Sequence, residues 1–216
     1  MKLIDYVTQN YMLILEKAGE HIYLAGIAVL LACAVGIPIG FMITNNKKLA
    51  NIVVGIANVI QTIPSLALFA FALSIFGIGA DNAIFALFLY ALLPIIKNTL
   101  IGIRNVDPAI REAARGMGMS RSQIMFKVEI PMAISVIMGG VRIATVTGIG
   151  IATIATLIGA GGLGQLIYQG IGMMNNEMIF AGAICSATLA LLADFLLGLV
   201  ENKLTSKGLE KEDLLS

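Results

Sequence analysis

Residues that could do chemistry are few in this chain, and most stand alone inside long apolar runs: Gln61, Thr62 and Ser65 around Pro64, Arg142 with Thr145, then Thr156 and Asp194. No hydrolytic or redox set can be assembled from them. Covalent catalysis needs a nucleophile beside a base, and a metal needs clustered ligands. One boundary histidine, His21, and no acidic pair within the apolar runs supply neither, so no metal site is expected. Cys33 and Cys185 each lie in an apolar run and read as small hydrophobes. The stretch from Gly159 to Gly164 matches the dinucleotide pattern G-x-G-x-x-G, but it follows an apolar helix instead of a strand and reads as a flexible external turn. What remains is the chemistry of position. Polar groups in apolar surroundings are costly unless they are paired or face water. Gln61, Thr62, Pro64 and Ser65 could line a path where the proline frees backbone carbonyls. Thr145, Ala152, Thr156 and Gly159 form one small, weakly polar stripe that reads either as path or as close helix packing, as do Gly36 and Gly40. Arg142 and Asp194 are expected to pair; the alternative is that each reaches a headgroup separately.

Composition dictates the elements that hold these groups. The chain is 58% hydrophobic and 12% charged, against roughly a quarter charged in soluble domains, and its mean hydropathy is +0.93. Charges cluster in short segments between uncharged runs, which is the pattern of a bilayer protein. Spanning a hydrocarbon core takes about 20 apolar residues per helix. Five spans are expected, at about 22–43, 52–78, 82–103, 133–158 and 178–200, all within one transmembrane domain covering 1–216. The second is too long for one straight helix and carries Pro64 near its middle, so a kink or a re-entrant piece is expected there. Residues 3–15 form a mildly amphipathic segment, read as a helix at the interface. The first uncharged run is too long for a signal-peptide core and lacks a small-x-small cleavage site, so it is expected to stay attached.

Basic residues set the orientation. Lys47 and Lys48, then Arg104, Arg111, Arg115, Arg121 and Lys127, then Lys203, Lys207 and Lys211 all fall on one side of a five-span chain, while the other side has Lys2 and Lys17. The basic side is therefore expected in the cytoplasm, with the N-terminus outside and the C-terminus inside.

The segment 107–131, between the third and fourth spans, carries most information. Asp107 and Pro108 make a helix start, and Ile110, Ala113, Ala114 and Met117 recur on one face opposite Arg111, Glu112 and Arg115. Gly116 and Gly118 can stop that helix. Ser120 and Gln123 form a capping box for a second, expected to end or kink at Pro131.

Glu112-Ala113-Ala114, then Gly118, then Val128-Glu129-Ile130-Pro131 resembles the EAA signature of ATP-binding-cassette importer permeases, with Val128 in place of the usual Ile and Ile130 in place of Leu. Residues 58–71 (NVIQTIPSLALFAF) and 158–167 (IGAGGLGQLI) resemble the osmoprotectant group within that family, so the likeness spans nearly the whole chain. The resemblance implies an all-α integral membrane protein. It would have the five core transmembrane helices of the type I, MetI-like permease fold, an N-terminal interfacial helix and a cytoplasmic coupling helix. Glu112, Ala113, Ala114, Arg115, Gly118 and Pro131 would then form the surface that docks on a separate ATP-binding subunit. Further implied partners are a second permease subunit, identical or homologous, an extracellular substrate-binding protein and the lipid bilayer; nucleic acid is not. ATP and magnesium would sit on the partner ATPase, and this chain, having no G-x-x-x-x-G-K-[ST], would hold no cofactor and catalyse nothing. The implied cargo is glycine betaine, carnitine or choline, with methionine, another amino acid or a thiolated betaine as the alternative. A self-sufficient secondary transporter is a different class, which ATP dependence would separate.

Overall fold

A computed structural model describes residues 3–205; Lys2, Lys207 and Lys211, used above for orientation, lie outside them. Every regular element among the described residues is helical: α1 (Leu3–Gln9), α2 (Tyr11–Met42), α3 (Lys47–Thr62), α4 (Ser65–Phe76), α5 (Ala80–Arg104), α6 (Pro108–Gly116), α7 (Arg121–Ile124), α8 (Ile130–Ala152), α9 (Gly164–Gly172) and α10 (Asn176–Leu204). A π turn, Met125–Glu129, joins α7 to α8, and a 3-10 turn, Ile154–Ile158, follows α8. Four helical stretches, α2, α5, 121–152 and α10, are each long and apolar enough to cross a membrane, and α3 with α4 makes a fifth candidate bent by 99°.

At the centre, α5 packs between α2, α8 and the α3–α4 pair. Small residues permit the approach. A Cβ at Gly40 would stand 2.6 Å from Thr99, one at Gly36 3.0 Å from Ile95, and one at Gly140 2.7 Å from the Pro94 carbonyl. Gly36 and Gly40 thus serve helix packing, since the Ile95 and Thr99 side chains of α5 stand too close for a larger residue. Phe69, Leu24, Ala83, Leu87 and Ala152 fill the main core around α4, α5 and the end of α8. The Asn82 side chain joins α5 to α4 by donating to the carbonyls of Phe69 (3.2 Å) and Gly77 (3.0 Å).

Four local expectations need correction. The N-terminal helix is shorter than 3–15: it ends at Gln9, because Asn10 leaves helical geometry and turns its amide back on the Tyr6 carbonyl at 2.9 Å. Its Tyr6 is buried against Leu163, Leu166 and Met178. The fourth span does not run on to 158 as an α-helix, because the Thr153 hydroxyl bonds the Gly150 carbonyl at 2.7 Å and the backbone of Gly164 presses on Thr153. Pro131 does not end the helix that reaches it. Widening to π geometry just before it accommodates the missing donor, and 121–152 runs through as one helical stretch. Finally, the turn at 159–164 is not loose: Gly162 and Leu163 fasten it to Glu20 and His21 of α2, and α9 follows it.

Candidate functional site

Two regions carry the residues singled out above, one beyond the ends of α5 and α8 and one within the bundle. In the first, α6 begins as its sequence dictates: the Asp107 carboxylate accepts the Ala109 N–H at 2.8 Å, with Pro108 in the first turn. Gly118 adopts φ +79°, a left-handed conformation that an L side chain resists, and this reverses the chain between α6 and α7. The capping box closes as written, Ser120 N–H donating to Gln123 Oε1 (2.8 Å) and Gln123 N–H to Ser120 Oγ (3.3 Å).

Side-chain directions on α6 divide the signature into two groups. Ala114 alone is buried. Glu112, Ala113 and Arg115 are exposed, and so are Ile110 and Met117 of the supposed apolar face, Met117 at 74%. A helix this open on both sides presents a surface instead of contributing a core. Arg111 behaves differently from the other charges: it turns back, its Nε lying 2.8 Å from Glu129 Oε1 as an ion pair and its Nη2 donating to the Ile103 carbonyl. One side chain thereby ties α6 to the end of α5 and to the π turn. Only the identities of Arg111 and Glu129 were legible; a separation of eighteen residues across a glycine corner hides their contact.

Within the bundle the six expected path residues are not gathered around one opening. At the elbow between α3 and α4, Gln61 Nε2 donates to the Tyr90 carbonyl at 2.9 Å and the Tyr90 hydroxyl donates to the Ile63 carbonyl. The Ile63 carbonyl, left at the break between the two helices, is thus taken by a tyrosine of α5, and Gln61 braces the bend from α3. Thr62 and Thr145 bond back to their own helices, to Val59 and Val141, at 2.7 and 2.8 Å. Pro64 is exposed and Ser65 half-buried at the bend. Thr156 lies elsewhere. It lines a cavity of about 450 Å³ with Lys17, Glu20, Gln165, Tyr168 and Gln169, and none of the other five path residues lines that cavity.

Arg142 and Asp194 meet in a bidentate pair, Nε to Oδ1 at 2.8 Å and Nη2 to Oδ2 at 2.9 Å. Glu201 joins them, accepting from Arg142 Nη1 at 2.9 Å and from the Ser135 hydroxyl at 2.5 Å. Glu201 was missed from the sequence. Its signal was the seven-residue spacing, two helical turns, that separates Ser135 from Arg142 and Asp194 from Glu201 on two antiparallel helices.

A second unread cluster sits where α2 meets the glycine loop. Gly162 N–H donates to Glu20 Oε2 at 2.8 Å, and Lys17 Nζ holds Glu20 Oε1 at 2.8 Å. His21 is wholly buried. Leu163 N–H donates to its Nδ1 (3.2 Å), which leaves Nε2 to carry the proton and donate to the Ile149 carbonyl at 2.9 Å. An ordinary interfacial histidine was expected; the structure makes it a staple between α2, α8 and the loop.

Residues 36–206 match the family model of the binding-protein-dependent transport system inner membrane component. The chain is 44% identical over 209 residues to the carnitine transport permease protein OpuCB of Listeria monocytogenes, covering 97% of this chain and 96% of the relative. It is 42% identical to the glycine betaine/carnitine/choline transport system permease protein OpuCB of Bacillus subtilis, with the same coverage. To the osmoprotectant import permease protein OsmW of Salmonella typhimurium it is 42% identical, covering 97% of this chain and 100% of the relative. Among solved structures, an inward-facing form of the MetNI methionine ABC transporter superposes with a TM-score of 0.81 at 24% identity, over 92% of this chain and 99% of that one. At that identity the likeness establishes the fold.

Proposed function

Because the chain belongs to the family of binding-protein-dependent transport system inner membrane components, a family of multi-pass membrane permeases, we propose that it carries a quaternary-ammonium compatible solute, glycine betaine, carnitine or choline, into the cell as one subunit of an ATP-binding-cassette importer. The substrate class rests on likeness to carnitine, glycine betaine/carnitine/choline and choline transport permeases that are 41–47% identical to this chain over nearly their full length. A separate ATPase subunit binds ATP and magnesium, a second permease subunit completes the pore, and an extracellular protein delivers the solute. The chain lies in the bacterial plasma membrane with its N-terminus outside and the basic side, α6 included, in the cytoplasm.

The observation that carries the reading is the stance of α6. Its Glu112, Ala113 and Arg115 stand exposed, while Arg111 is committed inward. Small Ala113 and Gly118 let another surface approach closely, and Glu112 with Arg115 fixes register by charge-assisted hydrogen bonds. Movement imposed on α6 by the ATPase then passes through Arg111 to α5 and to the π turn that begins α8. Because α5 is the central helix and α8 bears the Arg142 network, that movement reaches the bundle interior. Gln61, Thr62, Pro64 and Ser65 act at the elbow, and Thr145 and Thr156 along α8 and its outer end, as parts of the path that opens and closes.

The test is uptake of labelled glycine betaine, carnitine and choline by proteoliposomes holding this chain with its ATPase and binding protein. ATP-dependent uptake that collapses in Glu112→Lys, with the protein still in the membrane, supports the reading. Uptake that needs no ATP and ignores Glu112 overturns it.

A further inference from the structure

The cavity beside the glycine loop holds more chemistry than a passage requires. Lys17 and Glu20 come from α2, Thr156 from the 3-10 turn, and Gln165, Tyr168 and Gln169 from one face of α9, around about 450 Å³, a volume within the range of small-ligand sites. Three separate elements converge there, and each is tied down.

Rigid walls distinguish this cavity from a chance gap. The loop is fastened to α2 through Gly162 N–H on Glu20 (2.8 Å) and Leu163 N–H on His21 (3.2 Å). Its far end is wedged on Thr153, where a Cβ at Gly164 would stand 1.9 Å from the carbonyl oxygen. Gly161 and Gly162 both hold φ +83°, a backbone that brings the loop in against Glu20 and His21. A site held in this way loses little freedom on binding.

The lining has a definite character: one cation, one anion, two amides, one hydroxyl and one phenol ring. Lys17 Nζ lies 2.8 Å from Glu20 and 3.4 Å from Glu16, which leaves one of its three donors for another acceptor. A lone cation or a lone anion would meet a partner of its own sign here. A small molecule bearing both charges would meet complements: its carboxylate the Lys17 ammonium and the amides of Gln165 and Gln169, its quaternary ammonium the Tyr168 ring and the Glu20 carboxylate.

We propose that this cavity is a binding site in the permease itself for a small zwitterion bearing a quaternary ammonium and a carboxylate, with Lys17 selecting the carboxylate and Tyr168 the cationic head. It stands at the loop end of α2 and α8, remote from α6, and so receives solute before the elbow does. The inference rests on the transport reading above and goes beyond it by assigning solute recognition to this chain.

The experiment uses the complete transporter in nanodiscs without its external binding protein, so that solute held by that protein adds nothing, and measures binding of labelled glycine betaine and choline by scintillation proximity. Wild type is expected to bind both. Tyr168→Leu weakens both about tenfold, as loss of one cation–ring contact would. Lys17→Met weakens glycine betaine about tenfold but does not weaken choline, which has no carboxylate and loses a like charge from its surroundings. Equal weakening of the two solutes by Lys17→Met, or no change in either variant, overturns the site. Uptake by the full system separates the two levels: wild-type uptake of neither glycine betaine, carnitine nor choline sinks the transport reading and this site with it, whereas normal uptake without binding in nanodiscs sinks the site alone.

Discussion

Arg111 and Glu129 lie eighteen positions apart in sequence and 2.8 Å apart in space, bridging the first turn of α6 and the last residue of the π turn that leads into α8. Both side chains are largely shielded, 24% and 15% exposed. The pair therefore falls between surface ion pairs, which contribute little, and buried ones, whose breakage is costly.

Breaking that brace should uncouple the transporter without unfolding it. Glu129→Gln is expected to cost about 1–2 kcal/mol of stability and to lower the solute taken up per ATP hydrolysed more than it lowers hydrolysis itself. The exchange Arg111→Glu with Glu129→Arg should recover part of the ratio, measured in proteoliposomes. Equal falls in both rates would mean that the pair only holds the protein together.

The Arg142 network predicts an order among variants. Arg142→Gln leaves Asp194 and Glu201 facing each other without a cation, so it should be the most damaging single change. Exchanging Arg142 and Asp194 alone should restore little, since the new carboxylate would face Glu201; adding Glu201→Gln should restore more. Thermal unfolding in detergent, read beside uptake, checks the order.

His21→Phe keeps a ring of similar size but removes both hydrogen bonds. The Leu163 N–H and the Ile149 carbonyl would then be buried without partners, at about 1–3 kcal/mol each. Loosening of the loop should appear as faster hydrogen exchange at 159–166, with little change at α6. Unchanged exchange in the loop would show that His21 is filler and not a staple.

Glycine positions separate space from conformation. Gly164→Ala should prevent assembly, because its Cβ would stand 1.9 Å from the Thr153 carbonyl oxygen. Gly116→Ala meets nothing within 4 Å at the last residue of α6, so it should be neutral or stabilise by less than about 1 kcal/mol. Membrane content and unfolding temperature of the two variants test the contrast.

Local chemistry of the chain was largely readable. Asp107 with Pro108, the Ser120 and Gln123 box and the reversal at Gly118 depend on residues within a few positions of one another, and each takes the form its sequence dictates. Charges in apolar runs were readable for another reason: Arg142 and Asp194 have few alternatives in a bundle, so an expected partnership becomes a contact. Hidden features depend on residues far apart. His21 looked like a helix-boundary residue because Leu163 and Ile149, which bind it, lie more than a hundred positions away, as does Gly162, which binds its neighbour Glu20. The brace from Gln61 was hidden because nothing near it announces that Tyr90 will take its amide. The helix through Pro131 was hidden because a π turn leaves no local sequence signature.

The bend at Pro64 bears on how the chain is made. Residues 52–78 emerge from the ribosome as one uncharged stretch, while the partner that occupies the Ile63 carbonyl, the Tyr90 hydroxyl, is synthesised twenty-seven residues later. In the bilayer an unpaired carbonyl is costly, so the bend gains its support only once α5 has entered beside it. The elbow is thus a product of assembly after insertion, and a chain truncated before Tyr90 would lack the hydroxyl and the carbonyl acceptor that hold it.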